Sequence, residues 1–414
     1  MKKLHLLLLL GCLLCLFALP AAAQELLSIS ITCTTDQPLS AEEAAAAQIT
    51  LTQNGQETVM DAQLLLHGNS LDMVEAALPQ KSMHVDSDGI RFLLYNDGND
   101  ALGTKVMSAV CSQLIAQGPL PVAVRAQEPV EVRLNGEYQG LYTRRESIVD
   151  AIARFEGLPD TAALNVADAA RQTVHGDASG LTEIFRRIQA LDLSQEKDRK
   201  TLSELLDTES FLNWLAVNAY VGTADLYGEI FFYQVEQGPW KCAAGDFAYA
   251  FLTAGDDSIA RIMGQDAARL GDTAALASRM LAEPVYRDAF LTKMGTLYQA
   301  LPTEVMQAAV DVENARIATA LPAHAERWSE AFAQALDEPR DFPADKQEAV
   351  LFQRYRVERL RNKTLPQRPW YVYDSVQRGL QVSDEDMARY FGGARPELPD
   401  VPSDTWEEYK AAHS

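Results

Sequence analysis

The chain has 414 residues, 47% of them hydrophobic, and a formal net charge of -22 at pH 7 from 58 acidic and 36 basic side chains. This length provides for one large or two modest globular cores. The acidic balance argues against nucleic acid and anionic membranes as partners, and favours at most a basic protein or surface partner. Cys33, Cys111 and Cys242 follow the first 23 residues; three such Cys cannot all pair, so buried thiols or at most one disulfide are expected.

Residues 1–23 have the pattern of a secretory signal peptide. A basic start is followed by an apolar run from Leu4 to Leu19 and by three Ala at 21–23. The apolar run is short and ends at Pro20, which argues against a membrane anchor. A lipoprotein signal ending at Cys12 or Cys15 stays open as an alternative. We therefore predict a secreted or extracytoplasmic protein without a membrane-spanning segment after signal cleavage.

Residues 24–147 are predicted to form a β-rich N-terminal part. Hydrophobic and polar residues alternate over 28–33, and further strands are predicted at 49–52, 62–66 and 91–95. An Ala-rich stretch at 40–47 indicates a helical insert between the first two strands. A helix is predicted from Leu102 up to Gly118, because hydrophobic residues recur at a helical period from Leu102 to Leu114 and Gly118 stops the helix.

The stretch VEVRLNGEYQGLYTRRE at 130–146 predicts a β-hairpin. Asn135-Gly136 supplies the two positive φ angles that a type I′ turn needs, and hydrophobic residues alternate on both sides. The hairpin ends on three charged residues, of which Arg144 and Arg145 are expected to form a solvated edge.

Residues 148–365 are predicted to be mainly helical, with a second hairpin embedded at 230–251. Asp207 is a suitable N-cap for one of these helices. Residues 366–414 form a C-terminal extension, whose acidic, Pro-containing end at 393–414 is expected to be loosely held. Unequal β-rich and helical parts predict a cleft between them, where ligands usually bind.

The common nucleotide, hydrolase and zinc motifs are absent from the sequence. It contains no GxxxxGK[ST], GxGxxG after a strand, GxSxG or HExxH, and its six His residues lack metal-ligand spacing.

Four segments together resemble the CotH family of spore-coat protein kinases and their secreted relatives, over about residues 45–365. They are LLLHGNS at 64–70, PQKSM at 79–83, LNGEYQGLYTRRE at 134–146, and two stretches within 209–251, ESFLNWLAVNAYVGTADLYGE and WKCAAGDFAYAF. The resemblance implies an α+β, two-lobed, atypical protein-kinase-like fold with a β-rich N lobe and a mainly helical C lobe. It also implies ATP with Mg²⁺ or Mn²⁺ as cofactors.

The resemblance implies a cofactor-binding role for Lys81 and catalytic roles for Glu146 and Asp225. Lys81 would hold the phosphates of ATP, Glu146 would orient that lysine or help to hold the metal, and Asp225 would align the acceptor hydroxyl. Each also has a simpler interpretation: Lys81 as a solvated lysine, Glu146 as an acid at a helix N-terminus, and Asp225 as a turn residue.

Metal-binding and phosphate-binding roles follow in the same way. Asp246 would bind the metal, and Glu229 could supply a replacement oxygen. Asn69 and Ser70 could approach the phosphates through their backbone N–H groups, or simply form a turn.

Several positions depart from the family pattern. Gln80 replaces one of two lysines, Thr223 and Ala224 replace Asn and Thr, Ile230 lies where an Asn is usual, and Ala248 replaces a metal-binding Asp. Fewer oxygen ligands weaken Mg²⁺ binding. Two hypotheses follow: an exported kinase that phosphorylates Ser or Thr of an extracytoplasmic or spore-coat protein, or a degenerate pseudokinase that acts as a surface or envelope binding protein. The sequence leaves the acceptor and the oligomeric state open.

Overall fold

The computed structural model describes residues 25–34, 39–67, 76–87, 90–226, 228, 230–245, 247, 249–265, 271–335, 342–401 and 405–413. The predicted signal peptide lies outside these residues. So do four of the predicted site residues, Asn69, Ser70, Glu229 and Asp246.

Seven strands form a closed barrel in the N-terminal part. Its order is β1-β2-β3-β4-β5-β7-β6, and all neighbours are antiparallel except β1 and β6, which run parallel and close the barrel. The strands are β1 (Leu27–Cys33), β2 (Ala45–Gln53), β3 (Gln56–Leu66), β4 (Met83–Ser87), β5 (Ile90–Tyr95), β6 (Gln127–Leu134) and β7 (Glu137–Glu146). Alternate residues of each strand fill the interior, among them Ile29, Ile49, Leu64 and Val132.

The predicted Ala-rich helix is wrong, because β2 begins at Ala45. Ala45 pairs with Leu64 on one side, and Ala47 pairs with Cys33 on the other. Both alanines are buried while Ala46 between them is half-buried. Strand pairing on both edges therefore outweighs the helix propensity of alanine.

The hairpin of β6 and β7 has the predicted turn, since φ is 50° at Asn135 and 83° at Gly136. A register shift follows Val132. A C-terminal helix fixes the second strand from outside: Trp328 Nε1 donates to Gln139 O over 2.8 Å, and Leu141 N donates to His324 Nδ1 over 3.0 Å.

A one-turn 3₁₀ helix (Gly98–Leu102) and helix α1 (Met107–Ala116) connect β5 to β6. The predicted helix therefore begins five residues later than expected. Lys105, with a φ of 60°, lies between the two segments and prevents a continuous helix.

Helices and one small sheet follow the barrel. Helix α2 (Ile148–Glu156) is capped by Ser147, and α5 (Thr208–Val221) by Asp207, whose carboxylate accepts from Ser210 N as predicted. The predicted hairpin is present as β10 (Ile230–Val235) and β11 (Lys241–Ala244), within a sheet of order β11-β10-β8-β9. The remaining elements are β8 (Leu164–Ala167), β9 (Thr173–His175), α3 (Leu181–Gln189) and α4 (Glu196–Leu205).

The C-terminal half is helical. A short turn (Ser258–Ala260) and a π-helical segment (Arg261–Gln265) precede α6 (Asp272–Ala282), α7 (Pro284–Ala300), α8 (Thr303–Ile317), α9 (Leu321–Ala335), α10 (Lys346–Arg359), a second π-helical segment (Leu360–Thr364), α11 (Leu365–Leu380), α12 (Asp384–Phe391) and α13 (Trp406–His413). The chain is thus a mixed α+β protein with a β-rich N-terminal part and a helical C-terminal part, as predicted. No helix in the described part is long and apolar enough to cross a membrane.

The end of the chain is held more firmly than expected. Helix α13 packs on α10 through an aromatic cluster: the Trp406 ring lies 5.0 Å from that of Phe352, and the Tyr409 ring lies 5.3 Å from that of Tyr355. Lys410 also pairs with Glu348 over 2.7 Å. The acidic, Pro-containing composition of this segment suggested a loosely held tail. The spacing of Trp406 and Tyr409, three residues apart, instead places both rings on one face of a helix, where they pack on α10.

Candidate functional site

A cavity of about 510 Å³ opens where the end of the barrel meets α1, α2 and α8. This volume is within the range of small-molecule sites. Five arginines and four acids contribute to its wall: Arg91, Arg125, Arg144, Arg154, Arg316, Glu128, Glu146, Asp150 and Glu313. Glu146 is the one predicted site residue in this wall.

Strand alternation places this charge at the end of the barrel. Val130 and Tyr142 pair across β6 and β7 and face the interior. Glu128 and Arg144 are the next residues on the same face, and they pair in register and form an ion pair of 2.5 Å. From the Val130–Tyr142 pair to the next pair on this face, Glu128–Arg144, the side chains therefore change from hydrophobic to charged.

The charges in the wall are connected. Glu128 also binds Arg316 over 3.0 Å, and Arg316 binds Glu313 over 3.0 Å. Burial raises the pKa of the Glu313 carboxyl, and the charge of Arg316 opposes this shift.

Glu146 is held by arginine and by backbone. Its carboxylate accepts from Arg154 Nη2 and from Ala126 N, each over 2.8 Å. It lies one residue before Ser147, the N-cap of α2, so the interpretation of Glu146 as an acid near a helix start also agrees with its position.

Arg145 is not part of a solvated edge, contrary to the prediction for this end of the hairpin. Its side chain is 3% exposed, its guanidinium lies 3.7 Å from the centre of the Tyr95 ring, and its Nε donates to Gln127 over 2.9 Å. Arg144 is partly covered and is paired with Glu128. The three charged residues that end β7 are thus all in specific contacts.

Lys81 lies apart from Glu146. Glu146 pairs with Phe92 of β5, and Phe92 pairs with Val85 of β4, which is four residues beyond Lys81. The backbones of Lys81 and Glu146 are therefore about 13 Å apart along the strands at the usual strand rise. The Lys81 side chain is exposed, and its ammonium donates to Ala76 O over 2.9 Å. The structure therefore does not bring these two predicted residues together.

Gln80 occupies the buried position next to Lys81. Its amide nitrogen donates to Gln139 O over 3.1 Å and to Leu141 O over 2.9 Å, and its backbone O accepts from Asn96 Nδ2 over 2.7 Å. No solvent reaches this side chain. Gln80 thus links the PQK segment to β7 and to the loop after β5.

Asp225 follows α5 and is half-buried. The segment before it is fixed by backbone contacts: Ala224 N donates to Tyr249 O over 3.1 Å, and Thr223 O accepts from Ser258 Oγ over 3.0 Å. Tyr249 accepts a hydrogen bond from Asn99, in the 3₁₀ turn after β5. Tyr249 therefore connects the segment before Asp225 to the loop at 96–100, and Asp225 is not among the residues that line the cavity beside Glu146.

A buried arginine clamps the end of α5. The Arg368 side chain, from α11, is 1% exposed and donates to four backbone carbonyls, those of Ala219, Tyr220, Ala254 and Asp256. Burial lowers the pKa of its guanidinium to about 10, so it stays charged at neutral pH. The end of α5 that leads to Asp225 is thus tied to the C-terminal extension.

A buried ion pair beside the loop at 96–100 was not predicted from the sequence. Lys105 Nζ lies 3.0 Å from Asp97 Oδ2, with both side chains at most 5% exposed. Nearby, Asp100 accepts from Thr104 N and Met107 N, and burial raises the pKa of its carboxyl. The charged residues around 97–105 were visible in the sequence, but no periodicity indicated their burial.

The described residues do not contain a cluster of three or more His, Cys, Asp or Glu that could hold a metal ion. Because Asp246 and Glu229 lie outside those residues, their metal roles stay predictions. The same holds for the phosphate-binding roles of Asn69 and Ser70.

A protein-family model described as CotH kinase protein matches residues 66–349, which is most of the chain. The family prediction made from the four segments is confirmed. The search of curated proteins gave no match.

Proposed function

Because the chain belongs to the CotH kinase family, we propose that it is a catalytically degenerate CotH-like pseudokinase. In this proposal the protein is exported and binds a partner at the cell surface or envelope instead of transferring a phosphoryl group. The barrel and α1 would be the N lobe of a two-lobed kinase-like fold, and the helical part would be the C lobe.

The observation that carries this proposal is the arrangement of Gln80 and Lys81. Phosphoryl transfer needs a cation on the nucleotide phosphates, oriented by an acid. At the buried position of the PQK segment the chain has the neutral Gln80, with its amide donors bound to β7. Lys81 faces solvent about 13 Å from Glu146 along the strands, and Glu146 is bound by Arg154.

The residues of this segment therefore do not fit the phosphates of ATP. Ala248 removes one metal carboxylate as well, which weakens an octahedral Mg²⁺ or Mn²⁺ site. We accordingly derive no phosphoryl-transfer step for this chain.

One observation favours an active kinase as the second candidate. Asp225 lies within the family match, and its segment is held by Tyr249, Ser258 and, through α5, Arg368. A fixed acid of this kind could align a Ser or Thr hydroxyl of an extracytoplasmic or spore-coat protein, with ATP and Mg²⁺ or Mn²⁺ supplied at the site.

Incubation with γ-labelled ATP separates the two candidates. The mature chain from Gln24, with Mg²⁺ or Mn²⁺, should label neither itself nor casein above the level of the Asp225→Asn variant. Labelling that is lost in both Asp225→Asn and Asp246→Ala would overturn the pseudokinase proposal. Mass spectrometry of the phosphorylated residue would then identify Ser or Thr as the acceptor.

A further inference from the structure

Two histidines meet on the outside of the barrel, and neither of them lines the charged cavity. His84 lies in β4 opposite Leu65 of β3, and His67 follows the end of β3, two residues beyond Leu65. Leu64 and Val85, which neighbour these positions, fill the barrel interior, so strand alternation turns both histidines outward. His67 N donates to Ser82 O over 2.9 Å, which extends the strand ladder to His67 and fixes its backbone.

The two rings face each other through nitrogen atoms. His67 Nδ1 and His84 Nε2 are 2.7 Å apart, and the ring centres are 4.8 Å apart at an interplanar angle of 62°. A contact of this length holds one proton between two nitrogen lone pairs. A metal ion bound by two imidazoles replaces that proton and uses the same two lone pairs.

The spacing is close to that of a zinc site. Zn–N bonds of about 2.0–2.1 Å in tetrahedral geometry place two ligand nitrogens about 3.3 Å apart. The His67–His84 contact therefore has to widen by only about 0.6 Å, which small side-chain rotations supply. Imidazole nitrogen suits Zn²⁺, Ni²⁺ and Cu²⁺, whereas Mg²⁺ prefers oxygen.

We propose that His67 and His84 form a two-histidine site for a divalent transition-metal ion, with Zn²⁺ as the representative. Two imidazoles fill two of the four positions of a tetrahedral ion, and water is a suitable ligand for the positions that they leave open. The ion links the end of β3 to β4. The site is independent of the pseudokinase proposal, since neither histidine lines the cavity that contains Glu146.

One charge opposes metal binding. Arg125 is near enough to act electrostatically on His84, and its positive charge disfavours a cation there. With two protein ligands and this repulsion, we expect a dissociation constant for Zn²⁺ in the micromolar range. Because the ion binds the folded chain and not the unfolded chain, the melting temperature should rise with the Zn²⁺ concentration.

The test uses the mature chain without a histidine tag, treated with EDTA and dialysed. Isothermal titration with Zn²⁺ should give one site per chain, and Mg²⁺ at the same concentration should give no heat. His67→Gln and His84→Gln should each weaken Zn²⁺ binding at least tenfold. His175→Gln is the matched control, because His175 lies in β9 of the other sheet and its ring is hydrogen-bonded to Thr161 O. Unchanged affinity in His84→Gln, or no saturable binding in the unsubstituted chain, overturns the proposal.

A second measurement needs no substitution. Diethylpyrocarbonate modifies accessible imidazole nitrogens, and mass spectrometry locates the modified residues. Zn²⁺ should protect His67 and His84 but not His175. Equal modification of all three residues with and without saturating Zn²⁺ would contradict the proposed site even if the glutamine variants failed to fold.

Discussion

Gly140 of β7 and His324 of α9 approach each other so closely that a Cβ atom on Gly140 would lie 2.6 Å from His324 Nδ1. The φ angle of Gly140 is 91°, which side-chain-bearing residues rarely adopt. The glycine of the NGEYQGLY segment is therefore required twice, by its backbone conformation and by the helix that packs on it.

Gly140→Ala should consequently lower the free energy of unfolding by about 3 kcal/mol, from backbone strain and overpacking together. Urea unfolding gives the measurement. Gly157→Ala is the matched control, because Gly157 has a φ of 67° but no atom within 4 Å of the position that a Cβ would take. The control should cost only about 1 kcal/mol. Equal losses in the two variants would show that the contact with His324 is unimportant.

Gln80 and Lys81 should respond very differently to substitution. Gln80→Met removes two hydrogen bonds from a fully buried side chain and should cost about 2 kcal/mol. Lys81→Met changes an exposed side chain and should alter the free energy of unfolding by no more than about 0.5 kcal/mol. Urea unfolding of both variants measures the difference. A larger effect for Lys81 than for Gln80 would contradict the arrangement on which the proposed function depends.

His324 should make stability depend on pH. Burial, and then the charge of Lys105, lowers the pKa of its imidazole well below the ordinary 6.5. A lowered pKa means that the unfolded chain binds the proton more readily, so the stabilising contribution is complete above pH 6.5 and is lost as the pH falls. Between pH 7 and pH 5 the free energy of unfolding of the unsubstituted chain should fall by about 1–2 kcal/mol more than that of the His324→Gln variant. Urea unfolding at the two pH values tests this, and parallel losses would refute it.

Arg368 should be essential for the end of α5. Arg368→Met leaves four backbone carbonyls, three of them on buried residues, without their donor and should lower the free energy of unfolding by more than about 3 kcal/mol. Arg378→Met, in the same helix, removes a mostly exposed arginine and should cost less than about 1 kcal/mol. Thermal unfolding compares the two. Similar melting temperatures would show that α11 does not hold the segment before Asp225.

Sequence patterns predicted those elements whose signals are local. The type I′ hairpin, the Asp207 cap and the embedded hairpin each depend on a few adjacent residues, and each is present. The Ala-rich segment was assigned wrongly because its conformation is decided by pairing with β1 and β3, which alanine propensity does not indicate.

The candidate site could likewise be predicted only in part from the sequence. The four segments were enough to identify the family, but they could not show which of Gln80 and Lys81 faces inward, because neighbouring extended residues point in opposite directions. The burial of Arg145 likewise depends on Tyr95 and Gln127, which are distant in sequence.

The parallel pairing of β1 with β6 has a consequence for how the protein folds. Leu27 pairs with Val130, about a hundred residues later in the chain. Of its two neighbours, β1 can therefore pair with β2 early, but with β6 only after most of the N-terminal part has formed. Contacts between residues so far apart in sequence are slow to form. Until β6 arrives, β1 leaves an unpaired edge that can join other chains. Closure of the barrel is therefore expected to be a late folding step and the one most exposed to aggregation.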